Sequence, residues 1–508
     1  MPVRYLFPLL LLLSMLTVLL PGCEPKEEIV TTDTSAKLEF STDTVKFDTV
    51  FVQTGTVTKR LWVYNRNKRA VRVEEIRLAA QQGATYQLII GGDAGPTARN
   101  VEIRGRDSLL VLVRATVQPG ADKPFLVEDQ LLFRTNKNDQ QVRLIAYGQN
   151  AYFHDAETLP CNAVWRNDKP HVIYNSVLVD SLCTLTIEEG TRIYSHAGSA
   201  IIVKGTLRVN PNLSPTDEVK PDDRRIVRFA GDRLEPFYND IPGQWAGIQF
   251  VASTRNTRNN VLRYCEIKNA SFGVLIYNIN DARPRPRVTV ENSVIRNISG
   301  QGLTFASGGA SFAGGGILSY SGDFDLRNLL LTNCGEYAVG GFQGGTYNLQ
   351  HCTVANYTPQ FRRETASLTF SNALPITSPT YRTAPTVTIS NSIVWGSIED
   401  ELFFQNGNQY VGGVNISHSL LRTKEYNVPG TGSTLGFAGT TNILNVDPKF
   451  RRTPLNTSNN QFDYRLDTLS AASNRGTAVS LPVLTRDLRN ISRNASTPDL
   501  GAYERLNP

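Results

Sequence analysis

Apolar and polar side chains alternate in short runs along most of this chain, and turn residues cut the runs apart. The runs 61–64, 71–78, 86–90, 109–115, 127–135 and 142–147 are separated by clusters such as Asn65-Arg66-Asn67-Lys68 and Gly91-Gly92-Asp93. Period-two alternation marks half-buried strands, and short strands at this spacing predict a β-sandwich over residues 36–148.

Beyond residue 160 the pattern becomes a repeat. Six segments align without gaps, beginning at Tyr264, Asn292, Asn328, His351, Asn391 and His418. Their second positions are Cys265, Ser293, Leu329, Cys352, Ser392 and Ser419. Their fourth positions are Ile267, Ile295, Leu331, Val354, Val394 and Leu421. The sixth is asparagine in four cases, Asn269, Asn297, Asn333 and Asn356. Alternate residues of a strand share a face, so small, aliphatic and Asn side chains are expected to fill a narrow coil, the amides in one file. A buried amide without a partner costs about 1–3 kcal/mol, which stacking avoids. Start-to-start spacings run from 23 to 40 residues, so 23 is one coil and longer intervals carry insertions. The insertions fall at 278–287, 306–323 and 357–386. Less regular strand-like runs, 185–193, 201–209, 226–229 and 245–250, precede them. The outward third positions read Glu266, Val294, Leu330, Thr353, Ile393 and Leu420. That row is mostly apolar, so a cover is expected over it, drawn from the insertion 357–386.

Composition agrees with strands. The 508 residues include 39 glycines and only two methionines, which argues against a helical bundle. The net charge of +6 is spread along the chain, so no nucleic-acid partner is expected.

The N-terminus has a grammar of its own. Arg4 precedes an apolar stretch 6–20, then Pro21, Gly22 and Cys23. The stretch is shorter than the ~20 residues of a membrane span and reads as a secretion signal. Leu20-Pro21-Gly22-Cys23 resembles the lipobox of bacterial lipoproteins, with Pro21 a departure from the usual small or aliphatic residue. That resemblance implies cleavage before Cys23 and lipid on it, with 1–22 as signal peptide and 23–35 as tether. The acidic start Glu24, Glu27, Glu28 resembles the signal that sends some lipoproteins to the outer face of the outer membrane. The expected partner is then the outer membrane, through lipid on Cys23.

Phe47-Asp48-Thr49-Val50-Phe51, the stretch 55–65 and Asp107-Ser108-Leu109 resemble immunoglobulin-like modules of bacterial surface lipoproteins. The ordered strand runs, the asparagine columns and the ending Asp499-Leu500-Gly501-Ala502-Tyr503-Glu504 resemble right-handed parallel β-helix proteins of the pectin-lyase-like superfamily. The expected fold is all-β: an N-terminal immunoglobulin-like β-sandwich followed by a right-handed parallel β-helix. A linker takes 149–160, the helix 161–425, and terminal coils with a cap 426–508.

Candidate chemistry is sparse. Cys161 and Cys183 bracket the first coil, and a disulfide there closes a loop worth roughly 3 kcal/mol in an exported protein. No CxxC and no Cys/His cluster with zinc spacing occurs, so no structural metal is expected. Catalytic relatives of the β-helix use carboxylates with an Arg or Lys base, or several Asp residues, and the lyases bind Ca²⁺. Asp323 and Asp325, two apart, point to one side of a strand, with Arg327 on the same stripe and His351 expected one coil on. The alternative is that Asp323 opens a Gly-Asp turn and Asp325 pairs with Arg327. Arg283, Arg285 and Arg287, interleaved with prolines, are suited to an acidic polysaccharide or a phosphate-rich surface, the alternative being a stiff, soluble loop without a ligand. Trp395 is suited to stacking on a sugar ring. Asp-Ser/Thr-apolar triplets, as at Asp180-Ser181-Leu182 and Asp467-Thr468-Leu469, resemble an O-glycosylation sequon of some Gram-negative bacteria. The functional expectation is a lipid-anchored, surface-exposed envelope protein that binds or displays glycans without cleaving them. A polysaccharide lyase or glycoside hydrolase is the alternative, and only the lyase needs Ca²⁺. The oligomeric state is left open.

Overall fold

The computed structural model describes residues 29–80, 83–120, 125–252, 259–300, 303–304, 311–374, 383–428, 434–457 and 461–505. The signal stretch 1–22 and Cys23 lie outside these. The chain is all-β and forms two compact units, Met1–Gln149 and Asn150–Pro508.

The first unit holds two five-stranded sheets. One is antiparallel, in the order Glu39–Phe40, Lys59–Tyr64, Ser108–Val117, Ala84–Ile90, Asp93–Ala94. The other runs Thr44–Phe51, Asn138–Gln149, Phe125–Thr135, Val71–Leu78, Thr97–Ile103, with its first pair parallel. Aromatic pairs join them: Phe40 meets Phe133 at 4.8 Å and Phe47 meets Tyr86 at 6.3 Å between ring centroids. The alternation read from the sequence is the alternation of burial along these strands, as in Ala84–Ile90.

The second unit is built on a 25-stranded parallel sheet. Three strands make one circuit before the chain pairs with itself. Thr184–Ile187 pairs with Thr206–Val209, Arg192–Ser195 with Val227–Gly231, and Ala200–Val203 with Gly247–Val251, all in parallel. The pattern is compatible with a β-helix, in which three ribbons run side by side. The parallel sheet starts at Tyr152–Thr158, which pairs with His171–Val179. The stretch expected as a linker is therefore its first strand, hidden in sequence by the polar run His154 to Glu157. The Cys161–Cys183 disulfide is formed, with Cα atoms 4.5 Å apart.

The repeat positions take the inside as expected for the second and fourth columns. Ile267, Ile295, Leu331, Val354, Val394 and Leu421 lie in one continuous core. Hydroxyls of the second column satisfy the strand edges: Ser293 Oγ accepts from Cys265 N at 3.1 Å, Ser392 Oγ from Cys352 N at 3.0 Å, and Ser419 Oγ from Ser392 N at 3.2 Å. The free cysteines Cys265, Cys334 and Cys352 are buried, and burial pushes their thiols up to about 12.

The asparagine column differs from expectation. Asn269, Asn297 and Asn333 have φ of 64°, 55° and 50° and form corners after the strand. Asn333 Nδ2 donates to Asn297 Oδ1 at 2.8 Å, but Asn269 turns to the carbonyls of Tyr238 and Asn239. Asn356 bonds both main-chain groups of Cys334 instead. The single file is therefore one stacked pair, because Asn269 and Asn356 spend their amides on main-chain groups instead.

A second ladder occupies the first column. Tyr264, Asn292, Asn328, His351, Asn391 and His418 all have φ between 42° and 51°. One left-handed residue turns the strand onto the next face, and asparagine tolerates that region best among non-glycine residues. Asn328 Nδ2 donates to Asn292 Oδ1 at 2.8 Å, and Asn391 Nδ2 to His351 Nε2 at 3.0 Å.

Candidate functional site

The ribbon that holds Arg192–Ser195, Val227–Gly231 and Cys265–Lys268 positions the site. Its outward residues form one column in register: Arg192, Arg228, Glu266, Val294, Leu330, Thr353, Ile393, Leu420 and Ile443. Each pair is a direct neighbour across a parallel ladder, about 4.8 Å apart.

From Val294 onward the column is apolar except for Thr353, and it is covered as expected, but by a different cover. Leu330, Ile393, Leu420 and Trp395 pack in one cluster with Phe450, Tyr464, Leu466, Leu488, Leu500 and Ala502. Among the described residues the C-terminal segment lies on this face; of the insertion 357–386, Tyr357 joins the cluster. Ile443–Leu444 adds a last strand to the coil, and the segment that follows runs back along its side. It holds the corner ladder: Asn328 Nδ2 donates to the carbonyls of Val483 and Arg486, and Arg493 Nη2 donates to Asn328 Oδ1 at 2.8 Å. Further back, Asn490 Nδ2 reaches the carbonyls of Pro215 and Asp217, each at 2.9 Å.

Where the column turns charged, the segment stands off and leaves a recess of about 910 Å³. Its floor is Arg192, Arg228, Glu266, Lys268 and Arg296, and its far wall carries Phe462, Tyr464 and Tyr503. Glu266 is the electrostatic centre. It accepts from Arg228 Nε at 3.1 Å and Arg296 Nε at 2.7 Å, and Arg296 also reaches Asp240 at 2.8 Å. Burial works to raise the Glu266 carboxyl, but Arg296, Lys268 and Arg228 together hold it below its ordinary value. Burial and the neighbouring Arg296 hold the Lys268 ammonium below the usual lysine range.

The residues singled out in sequence lie elsewhere. Asp323 and Asp325 do share a side of the strand Asp323–Cys334, and both are buried, at 5% and 8% exposure. Asp323 accepts from Thr346 N at 3.0 Å, and Asp325 from Asn348 Nδ2 at 2.7 Å. The neighbour one coil on from Asp325 is Asn348, not His351. Asp325 pairs with Arg287 at 3.4 Å, whereas Arg327 pairs with Glu291 at 2.7 Å. His351 is fully buried in the corner ladder, and burial with Arg493 nearby pushes its imidazole well below the ordinary value. The three residues are not brought together. Arg283 and Arg285 both hold Asp281, at 2.8 and 2.9 Å, so all three arginines of the proline-rich run have carboxylate partners. Trp395 is buried in the apolar half of the column, with Arg422 5.1 Å above its ring. Among the described residues no group of three or more His, Cys, Asp or Glu is placed to hold a metal ion.

No family model and no curated protein matches the chain. Among solved structures, a family 123 glycoside hydrolase from Clostridium perfringens is similar over 22% of this chain and 26% of its own, at 7% identity and a TM-score of 0.16. A protein of unknown function from Porphyromonas gingivalis W83 is similar over 24% of this chain and 59% of its own, at 12% identity and a TM-score of 0.17. Likenesses this slight carry no functional argument.

The recess residues were missed in sequence. A signal was present: Arg192-Ile193, Arg228-Phe229 and Glu266-Ile267 each place a charge before the inward apolar residue.

Proposed function

We propose that this is a lipid-anchored protein of the bacterial cell envelope whose right-handed parallel β-helix binds or displays glycans without cleaving them. An immunoglobulin-like module over 36–148 acts as its spacer, and Cys23 carries the anchor to the outer membrane. The observation that supports binding over cleavage is the state of the acids. Asp323 and Asp325 are buried and engaged by Asn348, Arg287 and a main-chain N–H, and a general acid or base needs reach to its substrate. The recess, in contrast, offers cations in excess of its salt-bridged carboxylates beside an aromatic wall. The test is a glycan array with the purified protein, run beside an absorbance assay for unsaturated products. Capture of glycans without turnover is expected; turnover of a captured glycan overturns the non-catalytic reading. Cys23→Ala is expected to move the protein from the membrane fraction to the soluble one, and retention on membranes overturns the anchor.

The second reading is a polysaccharide lyase on the same scaffold. Lys268 favours it, being a lysine with a lowered pKa among arginines able to neutralise a uronate. It predicts unsaturated products that vanish in Lys268→Met, and Ca²⁺ enters only there.

A further inference from the structure

The recess holds more positive charge than its own carboxylates answer. Eight basic and five acidic side chains line it. Glu266 and Asp240 are taken up by Arg228 and Arg296. Across the recess Arg465 pairs with Asp463, and Arg489 with Glu218. Arg192 and Lys268 form no salt bridge among the described residues; Glu266, already shared by Arg228 and Arg296, acts on both only through space, as Asp240 does on Lys268. Arg192 Nη1 rests on the main-chain carbonyls of Gly190 and Ile226, and Lys268 Nζ on that of Asn239 at 3.0 Å. Both are half-buried. Arg192 also sits directly beside Arg228 in the ladder, and like charges placed opposite each other cost stability. A face kept only for structure has no use for that arrangement, and the same column becomes apolar from Val294 on.

The dimensions restrict the occupant. About 910 Å³ is near the upper end of small-ligand pockets, about 300–1,000 Å³. A polymer laid along the column is stopped at Leu330, which is buried under the C-terminal segment. Phe462 and Tyr503 on the opposite wall offer apolar faces to a ring.

We propose that this recess binds a compact anionic sugar, a short saccharide whose carboxylate or phosphate is received by Arg192 or Lys268 while its ring lies against Phe462 and Tyr503. The inference rests on the glycan-binding reading and narrows it to a short, charged ligand at a stated site.

The probes are glucuronic acid and glucose 6-phosphate, with glucose as the neutral control, titrated calorimetrically into the purified protein. Either anion is expected to bind at least tenfold more tightly than glucose, and added salt weakens it. Which anion binds separates a carboxylate ligand from a phosphate one. Arg192→Gln with Lys268→Gln is expected to lower anion affinity at least tenfold at an unchanged melting temperature. Arg192→Lys, which keeps the charge, retains most of the binding and guards against a folding defect. Glucose binding as tightly as the anions, no binding of either anion, or full affinity in the double Gln variant overturns the proposal. If neutral glycans are captured on the array while neither anion binds, the charged site fails and the glycan-binding reading stands. If the anions bind here while no glycan is captured, the reading fails and the anion site stands.

Discussion

From Arg192 to Glu266 the outward column of the ribbon that holds Arg192–Ser195 is charged and borders a recess; from Val294 to Leu420 the same column is apolar except for Thr353 and lies under the C-terminal segment. Backbone, register and spacing are shared by both halves, so side chains alone decide what each half does. An outward position in such a coil is not yet a surface position. It becomes one only where nothing later in the chain has apolar residues to lay on it. The charge row therefore marks where the cover ends and where a ligand can enter.

The strongest way to break this comparison is to remove the cover. A chain ending at residue 445 leaves Leu330, Ile393, Leu420 and Trp395 bare, a contiguous apolar patch that soluble monomers rarely expose. We expect aggregated material in size-exclusion chromatography, and a monomeric, folded truncation contradicts the assignment. Ile393→Ala, at 1% exposure in the covered half, should cost about 2–5 kcal/mol in denaturant unfolding. Asn328→Ala leaves buried Arg493 without one of its acceptors and frees the carbonyls of Val483 and Arg486. It should cost about 1–3 kcal/mol in the same measurement. Val294→Ala, at the border between the halves, should cost about 1 kcal/mol or less.

The smallest effect is expected in the charged half. Glu266→Gln should cost about 1 kcal/mol or less at neutral pH, since partly exposed ion pairs contribute little. Its pH dependence carries the sign. The folded carboxyl lies below its ordinary 4.5, so its stabilisation is present above that value and is lost as pH falls through the folded one. The gap between wild type and variant should close on acidification; a gap that widens overturns the assigned charge state.

Much of the fold was legible because coils repeat. Small and aliphatic residues at Cys265/Ile267, Ser293/Ile295 and Ser392/Val394 mark the inward face, and the pairing places them there. The asparagines were legible as special but not as corners, since period-two reasoning assigns a face and says nothing of φ. Tyr264 and His351 in the same corner column disguised it further. The C-terminal segment was illegible because Phe450, Tyr464, Leu488 and Leu500 are single apolar residues without period, whose partners lie far away in sequence. The recess was only partly legible: the charges before Ile193, Phe229 and Ile267 stand in the sequence, but Arg192, Arg228 and Lys268 become neighbours only after the coil has wound and the segment has returned. The acids at 323 and 325 drew attention by local spacing, which cannot distinguish a waiting acid from one already bonded across the ladder.

In stacked-repeat proteins each layer normally touches only the layers beside it, so such rods can fray from either end. Here Asn490 bonds to residues 215 and 217, and Asn328 and Asn391 bond to the same returning stretch. The tail thus acts as a lace threaded through distant layers. Synthesis must reach its last residues before the lace can be drawn tight, and unravelling at either end first has to pull it free. The parallel-sheet unit is expected to melt as one body and not layer by layer.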